Sequence, residues 1–216
     1  HASYRRQRQM CIRDRIRAEN YKKLQAEYYE KSPSARELLE PPMRDLQLDT
    51  LAGVLDGNIL VQNHCYRADE MAMMIEMSHE FNYQITAFHH AIEAYKIADL
   101  LADEGICGAL WADWWGFKHE AYDMVPANIA IVDQARGGTG CAIVHSDDEV
   151  GIQHLNQEAA KALIAGIRAG YDISKARAMR WITSNPAIAA GIFDQTGSIE
   201  VGKDADLVIW SGDPFS

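Results

Sequence analysis

Three times along this chain a short apolar run ends abruptly in imidazole, amide or carboxylate side chains. The runs are Ile59 to His64 (ILVQNH), Gln84 to His90 (QITAFHH) and Ala142 to Asp148 (AIVHSDD). An apolar run of this length reads as a buried parallel strand whose C-terminal tip opens onto a site. Helical patterns follow at Asp69 to Glu80, Ile92 to Glu104 and Gln153 to Ala169. Strand, polar tip and helix in repetition make an α/β chain of the β/α-barrel kind, in which catalytic side chains gather at the C-terminal ends of the strands. His64, His90 and Asp147 would converge there, and such nitrogen and oxygen ligands suit zinc or a similar divalent ion.

The residues around these tips carry alternative readings. Tyr66 and Arg67 lie in the loop after the first run, where substrate contacts are expected, although Arg67 is equally suited to a solvated pair with Asp69 or Glu70. His89 and His90 point to opposite sides if the strand runs through both. Only one then faces the axis, and His90, last before the loop, is the favoured one. A further apolar run, Ile106 to Leu110, leads into Trp111, Trp114 and Trp115. That cluster is either a hydrophobic lid on the rim or a substrate-facing wall. Met71, Met73, Met74 and Met77 read as helix core packing. Gly137 to Gly140 precedes a strand, the wrong order for a phosphate cradle, so it reads as a tight turn.

The whole chain narrows the classes. Its 216 residues suit one domain, and its net charge of −10 argues against nucleic acid as a partner. No run of about eighteen apolar residues is present, so no membrane span is expected. Cys11, Cys65, Cys107 and Cys141 show no paired spacing and are expected to be buried free thiols. Arg5 to Asp14 (RRQRQMCIRD) is the translation of cgt cgg cag cgt cag atg tgt ata aga gac, which looks like a transposase-type sequencing adapter. Residues 1–15 are therefore expected to be non-native read-through. They carry a net charge of +4, leaving −14 on the remainder. From Ile16 to Lys31 a polar surface helix is expected, with breaks at Ser32-Pro33-Ser34 and Pro41-Pro42, then a helix over Leu46 to Leu55. The tail changes character: Ser198 to Val201 and Asp206 to Trp210 alternate like a β-hairpin.

Several stretches together resemble the C-terminal half of a metal-dependent amidohydrolase, in the imidazolonepropionase-like branch. The tail is the most specific, Trp181 to Ala187 (W-x-T-x-N-P-A) followed by GSIEVGKDADLVIW. The tips HCYRAD, HHAIEAYK and HSDD match in order. The resemblance implies strands five to eight of a (β/α)8 barrel over residues 16–192, with a return into a small β-sandwich over 193–216. It implies metal ligation by His64, His90 and Asp147. Asp147 would move the proton, and His90 or His145 would polarise the carbonyl or hold a second ion. Tyr66, Arg67, Trp111, Trp114 and Trp115 would face the substrate. The implied reaction is hydrolysis of a cyclic or linear amide C–N bond with one or two Zn²⁺ ions, on a small-molecule substrate. The family's His-x-His pair is missing from this sequence, so the chain alone is expected to be inactive. The competing expectation is a half-barrel interaction module or pseudoenzyme without chemistry. Compartment is left open, as is assembly into a homo-oligomer.

Overall fold

The computed structural model describes the backbone of residues 2–114 and 116–216, and the side chains of 8–114 and 116–216. Two compact units are present, one formed by residues up to 61 with 75–84, the other by 62–74 with 85–216.

In the first unit, helix α1 (Ala2–Tyr29) is followed by a single turn, α2 (Pro33–Arg36), and by α3 (Leu46–Leu55). Helix α1 therefore extends well upstream of the Ile16 start expected from its spacing. It is polar almost all round and buries only Ala18 and Tyr21 among its described side chains. It packs on α3, where the Tyr21 hydroxyl donates to Asp49 Oδ1 at 2.6 Å. The Ser32-Pro33 break starts α2, because proline at the first helical position gives up a donor that has no partner there anyway. Asp45 caps α3 by accepting from the Gln47 and Leu48 amides at 3.0 and 3.1 Å.

The second unit holds the strand–helix repeat. Strand β1 (Val61–Cys65) leads into α4 (Ala68–Phe81), which continues into the first unit. Then come β2 (Ile85–His90), α5 (Ala98–Asp103), β3 (Cys107–Leu110), α6 (Asn128–Gly138) and β4 (Cys141–Val144). Helices α7 (Leu155–Arg168), α8 (Lys175–Met179) and α9 (Ser184–Ala189) follow. The four strands form one sheet in the order β1-β2-β3-β4, with β2, β3 and β4 parallel. The register pairs His90 with Leu110 and Leu110 with Val144. Whatever follows those three positions must therefore emerge at one edge of the sheet.

The two faces of the sheet differ. Phe88, Leu110 and Val144 are buried on the side where α5, α6 and α7 pack. Ala87, Cys107, Ala109 and Ile143 alternate with them and cluster with Ala189 of α9. The turn before β4 depends on glycine: Gly137 and Gly138 have φ of 72° and 93°. A Cβ on Gly140 would sit 1.7 Å from the Val132 carbonyl oxygen.

Two expectations need correction. Cys107 and Cys141 are not free thiols: they form a disulfide across the β3–β4 register pair, their Cα atoms 4.5 Å apart. The separation of 34 residues gives no hint of it, because only the sheet register brings the two side chains together. Cys11 and Cys65 remain free. The tail is not a hairpin either, since residues 198–201 and 206–210 have no strand assignment. Their alternation is real, but Ile199, Val201, Val208 and Ile209 are exposed. A strand needs a partner to form its ladder, and an isolated pair is marginal in water.

The W-x-T-x-N-P-A motif that precedes the tail has a structural job. Trp181 Nε1 donates to Asp133 Oδ1 at 2.8 Å. Asn185 Nδ2 donates to the Ala142 carbonyl at 2.7 Å, satisfying a carbonyl of the outermost strand, β4. Asp133 is fully buried and also accepts from Arg177 Nε at 2.9 Å. Removing one member of a buried pair strands the other. Asp133→Ala is therefore expected to lower unfolding free energy by about 3–5 kcal/mol in urea denaturation; a loss below about 1 kcal/mol would contradict this account.

Candidate metal centre

Side chains from the ends of three strands meet at the common edge of the sheet. His90 ends β2, Trp111 follows β3, and His145 follows β4, with Asp147 two residues on. One ligand atom from each of His90, His145 and Asp147 lies within 4.8 Å of the other two. His90 Nδ1 is 3.3 Å from Asp147 Oδ2, and His145 Nδ1 is 3.9 Å from Asp147 Oδ1.

The position of His90 depends on an unusual backbone. Its φ is +67° and that of Ala91 is +37°, a left-handed pair in which both residues carry a Cβ. Each such residue costs about 1–3 kcal/mol and persists only where neighbours overdetermine it. Here the neighbour is Asn128, at the start of α6 and almost completely buried. Its Nδ2 donates to the carbonyls of Ala91 and Ile92, both at 3.1 Å, and its Oδ1 accepts from the Tyr95 amide at 2.9 Å. The Ala91 amide donates to the Cys65 carbonyl at 2.9 Å, and the Glu93 amide to that of Tyr66 at 3.0 Å. Glu93 Oε2 in turn accepts from the Ala68 amide at 2.9 Å.

This turn interrupts the simple alternation of β2, and of the two adjacent imidazoles it is His90 that contributes a donor to the trio. His89 stacks flat on His64, ring centres 5.1 Å apart, and its Nε2 lies 2.7 Å from Gln62 Oε1. The rings of His89 and His90 both approach that of His145, at 5.6 and 5.4 Å. His64 is exposed and touches the trio through His90, its Nδ1 lying 2.7 Å from His90 Nε2.

The donors suit a divalent ion. His90 Nδ1 and His145 Nε2 are buried without a hydrogen-bond partner among the described residues, which is uncommon for polar atoms in a folded interior. Burial pushes both imidazoles down to about 4, against the opposing pull of Asp147, so they are neutral at neutral pH. Neutral imidazole is the form that binds metal. Burial, with His64 alongside, also lowers His89. Burial raises the Cys65 thiol to about 11, keeping it protonated and a poor ligand.

An aromatic wall covers the trio. Trp111 is buried, its ring 4.7 Å from that of His90 and 5.7 Å from that of His145. Trp114 and Phe117 pack on Trp111, at 5.5 and 5.6 Å. Tyr66 stacks nearly parallel on His90 at 4.8 Å. Arg67 adopts the solvated alternative, paired with Asp69 at 2.9 and 3.0 Å. Trp115 lies outside the described residues. Sequence reasoning overlooked Lys118 and Asn128. The first is a lone base after the Trp cluster, and its Nζ lies 4.0 Å from the Tyr66 ring centre. The second precedes an apolar helix and reads as nothing more than a helix start.

Residues 143–215, which include His145, Asp147 and the Trp181–Asn185 motif, match the model of the Amidohydrolase family. The chain is also 32% identical over 176 residues to Amidohydrolase tasK of Hapsidospora irregularis, across 79% of its own length. Residues 143–215 thus carry an Amidohydrolase family domain. It is 32% identical over 127 residues to urease subunit alpha 2 of Streptomyces coelicolor, across 48% of its length. The fold is similar to that of a solved amidohydrolase from Thermotoga maritima, with TM-score 0.71, 29% identity and 93% of this chain covered. The chain spans only 17% of tasK, 23% of the urease subunit and 50% of the Thermotoga protein.

Asn128→Ala would leave the Ile92 carbonyl and the Tyr95 amide without that partner around a strained turn, while the Ala91 carbonyl keeps only the Ala94 amide. It is expected to lower unfolding free energy by about 3 kcal/mol in chemical denaturation. A loss under about 1 kcal/mol would mean that the turn is held by something else.

Proposed function

We propose that this chain carries the metal-binding half of a hydrolase that cleaves a non-peptide or cyclic amide C–N bond. The observation that carries the reading is the convergence of His90, His145 and Asp147 at one sheet edge, with buried imidazole nitrogens that have no hydrogen-bond partner among the described residues. A divalent ion held there, Zn²⁺ by the chemistry of the donor set, would supply Lewis acidity that lowers the pKa of a water towards about 7. Asp147 is the proton carrier: its side chain is 46% exposed, so Oδ1 can accept a proton and turn to deliver it to the leaving nitrogen. His64 fixes the His90 ring through the Nδ1 to Nε2 contact, as partners of metal-bound imidazoles commonly do. Trp111 and Trp114 exclude water from one side, which strengthens every charge interaction beneath them.

The finer reading follows the resemblance. Residues 16–192 are read as strands five to eight of a barrel and 193–216 as the return to a sandwich, in the imidazolonepropionase-like branch. The exposed apolar alternation of the tail supports a sheet partner for it. Residues 1–15 are read as non-native, which the genomic sequence at that locus tests. The sequence holds no His-x-His pair, so the polypeptide by itself is read as inactive on amides.

Zinc titration of this chain is the direct test. Asp147→Asn and His145→Ala are each expected to weaken Zn²⁺ binding by tenfold or more, since each removes one donor of the trio. Binding that both substitutions leave untouched would overturn the reading. Amide turnover by the isolated chain would contradict its inactivity.

A further inference from the structure

The Cys107–Cys141 disulfide joins the two strands that deliver one side of the candidate metal centre. Cys107 opens β3, Cys141 opens β4, and the two are register partners. Three more register pairs carry the ladder along both strands to Leu110 and Val144. The His145 amide then donates to the Leu110 carbonyl at 3.1 Å, which extends the pairing to the site itself. Trp111 follows β3 directly, and His145 and Asp147 follow β4. Two of the three members of the trio are therefore placed by β4.

That strand has little else to hold it. It is four residues long and outermost in the sheet, with a neighbouring strand on one side only. The turn that leads into it is strained: Arg136, Gly137 and Gly138 have φ of 49°, 72° and 93°. A left-handed arginine persists only where its surroundings hold it. Here it pairs with Asp99 and Asp103 at the surface, and exposed pairs contribute little. The covalent link at Cys141 pins the strand at the point where this turn delivers it.

The two sulfur-bearing residues are unequally accessible. Cys107 is fully buried and Cys141 is half-buried. Exchange therefore begins with a thiolate attacking the Cys141 sulfur and expelling that of Cys107, which takes up a proton. The second thiol of a dithiol reductant then attacks the reductant's own sulfur in the mixed disulfide and expels Cys141. Two electrons and two protons pass to the cysteine pair, and the dithiol leaves as a disulfide. The resulting thiols are small apolar groups that suit the cluster of Ala87, Ala109, Ile143 and Ala189. The fold is kept and the pin is lost, and an edge strand freed in this way opens locally without global unfolding.

We propose that the Cys107–Cys141 disulfide is a redox site: its reduction by a dithiol frees β4 and weakens the divalent-ion centre at the strand's tip. The effect on the ion rests on the hydrolase reading; the exchange and the release of β4 do not.

Hydrogen exchange on the metal-free 216-residue chain, with and without excess dithiothreitol, is the test. Reduction is expected to speed exchange of the amides of residues 142–145 about tenfold or more. The amides of α7, in the same unit, should keep their protection, and oxidised glutathione should restore the slow exchange at 142–145. A bond that resists the dithiol, unchanged exchange at 142–145, or loss of protection in α7 as well would overturn the proposal. Because dithiothreitol itself chelates zinc, the ion is tested with Cys107→Ala/Cys141→Ala, which is expected to bind Zn²⁺ about tenfold more weakly than the oxidised wild type. Equal affinity would overturn the link to the metal centre. Failure of the oxidised wild type to bind zinc at all would sink the hydrolase reading, while the exchange result would still decide the release of β4.

Discussion

The Asn128 side chain, wedged beneath the reversal after β2, is the contact on which the rest of the site depends. Its three hydrogen bonds hold Ala91 and Ile92 in place just after His90 turns left-handed. Without that reversal β2 would run straight on, and His90 would follow the alternation into the face lined by Phe88. With it, His90 is buried among Tyr66, Trp111 and His145, one nitrogen on His64 and the other beside Asp147. Strain of this kind is stored where function needs a side chain that regular structure would not deliver.

The candidate site and the stabilising contacts occupy different places in the second unit. The C-terminal strand tips carry the imidazoles, the carboxylate and the aromatic wall. At the strand starts the Cys107–Cys141 disulfide joins β3 to β4. Behind β4, Asp133, Arg177, Trp181 and Asn185 tie α6, α8 and α9 to one another and to the sheet edge. The small side chains of Ala87 and Ala109 let α9 sit against the sheet face opposite Phe88. Parallel β/α proteins divide labour in this way, which lets the loops at one end vary while the other end keeps the fold.

Much of this was legible in the sequence because it rests on local pattern. The four apolar runs became β1 to β4 within two or three residues, and the helices over 46–55, 69–80 and 153–169 lie where their spacing put them. His90 and Asp147 were readable as polar tips on apolar runs. What local pattern could not carry was long-range geometry. The left-handed turn at His90 depends on Asn128, 38 positions away, and the disulfide depends on strand register. The W-x-T-x-N-P-A motif identified the family, yet its physical role appears only when Trp181 meets Asp133 and Asn185 meets Ala142. The tail failed for a different reason: alternation predicts a strand, but a strand forms only where another lies beside it.

The central claim is that His90, His145 and Asp147 together form one divalent-ion site. Anomalous diffraction at the zinc edge from crystals grown with Zn²⁺ tests it most directly. The account predicts one strong peak about 2.0–2.2 Å from a nitrogen of each imidazole and an oxygen of Asp147. A peak elsewhere, or none at that edge of the sheet, would contradict it.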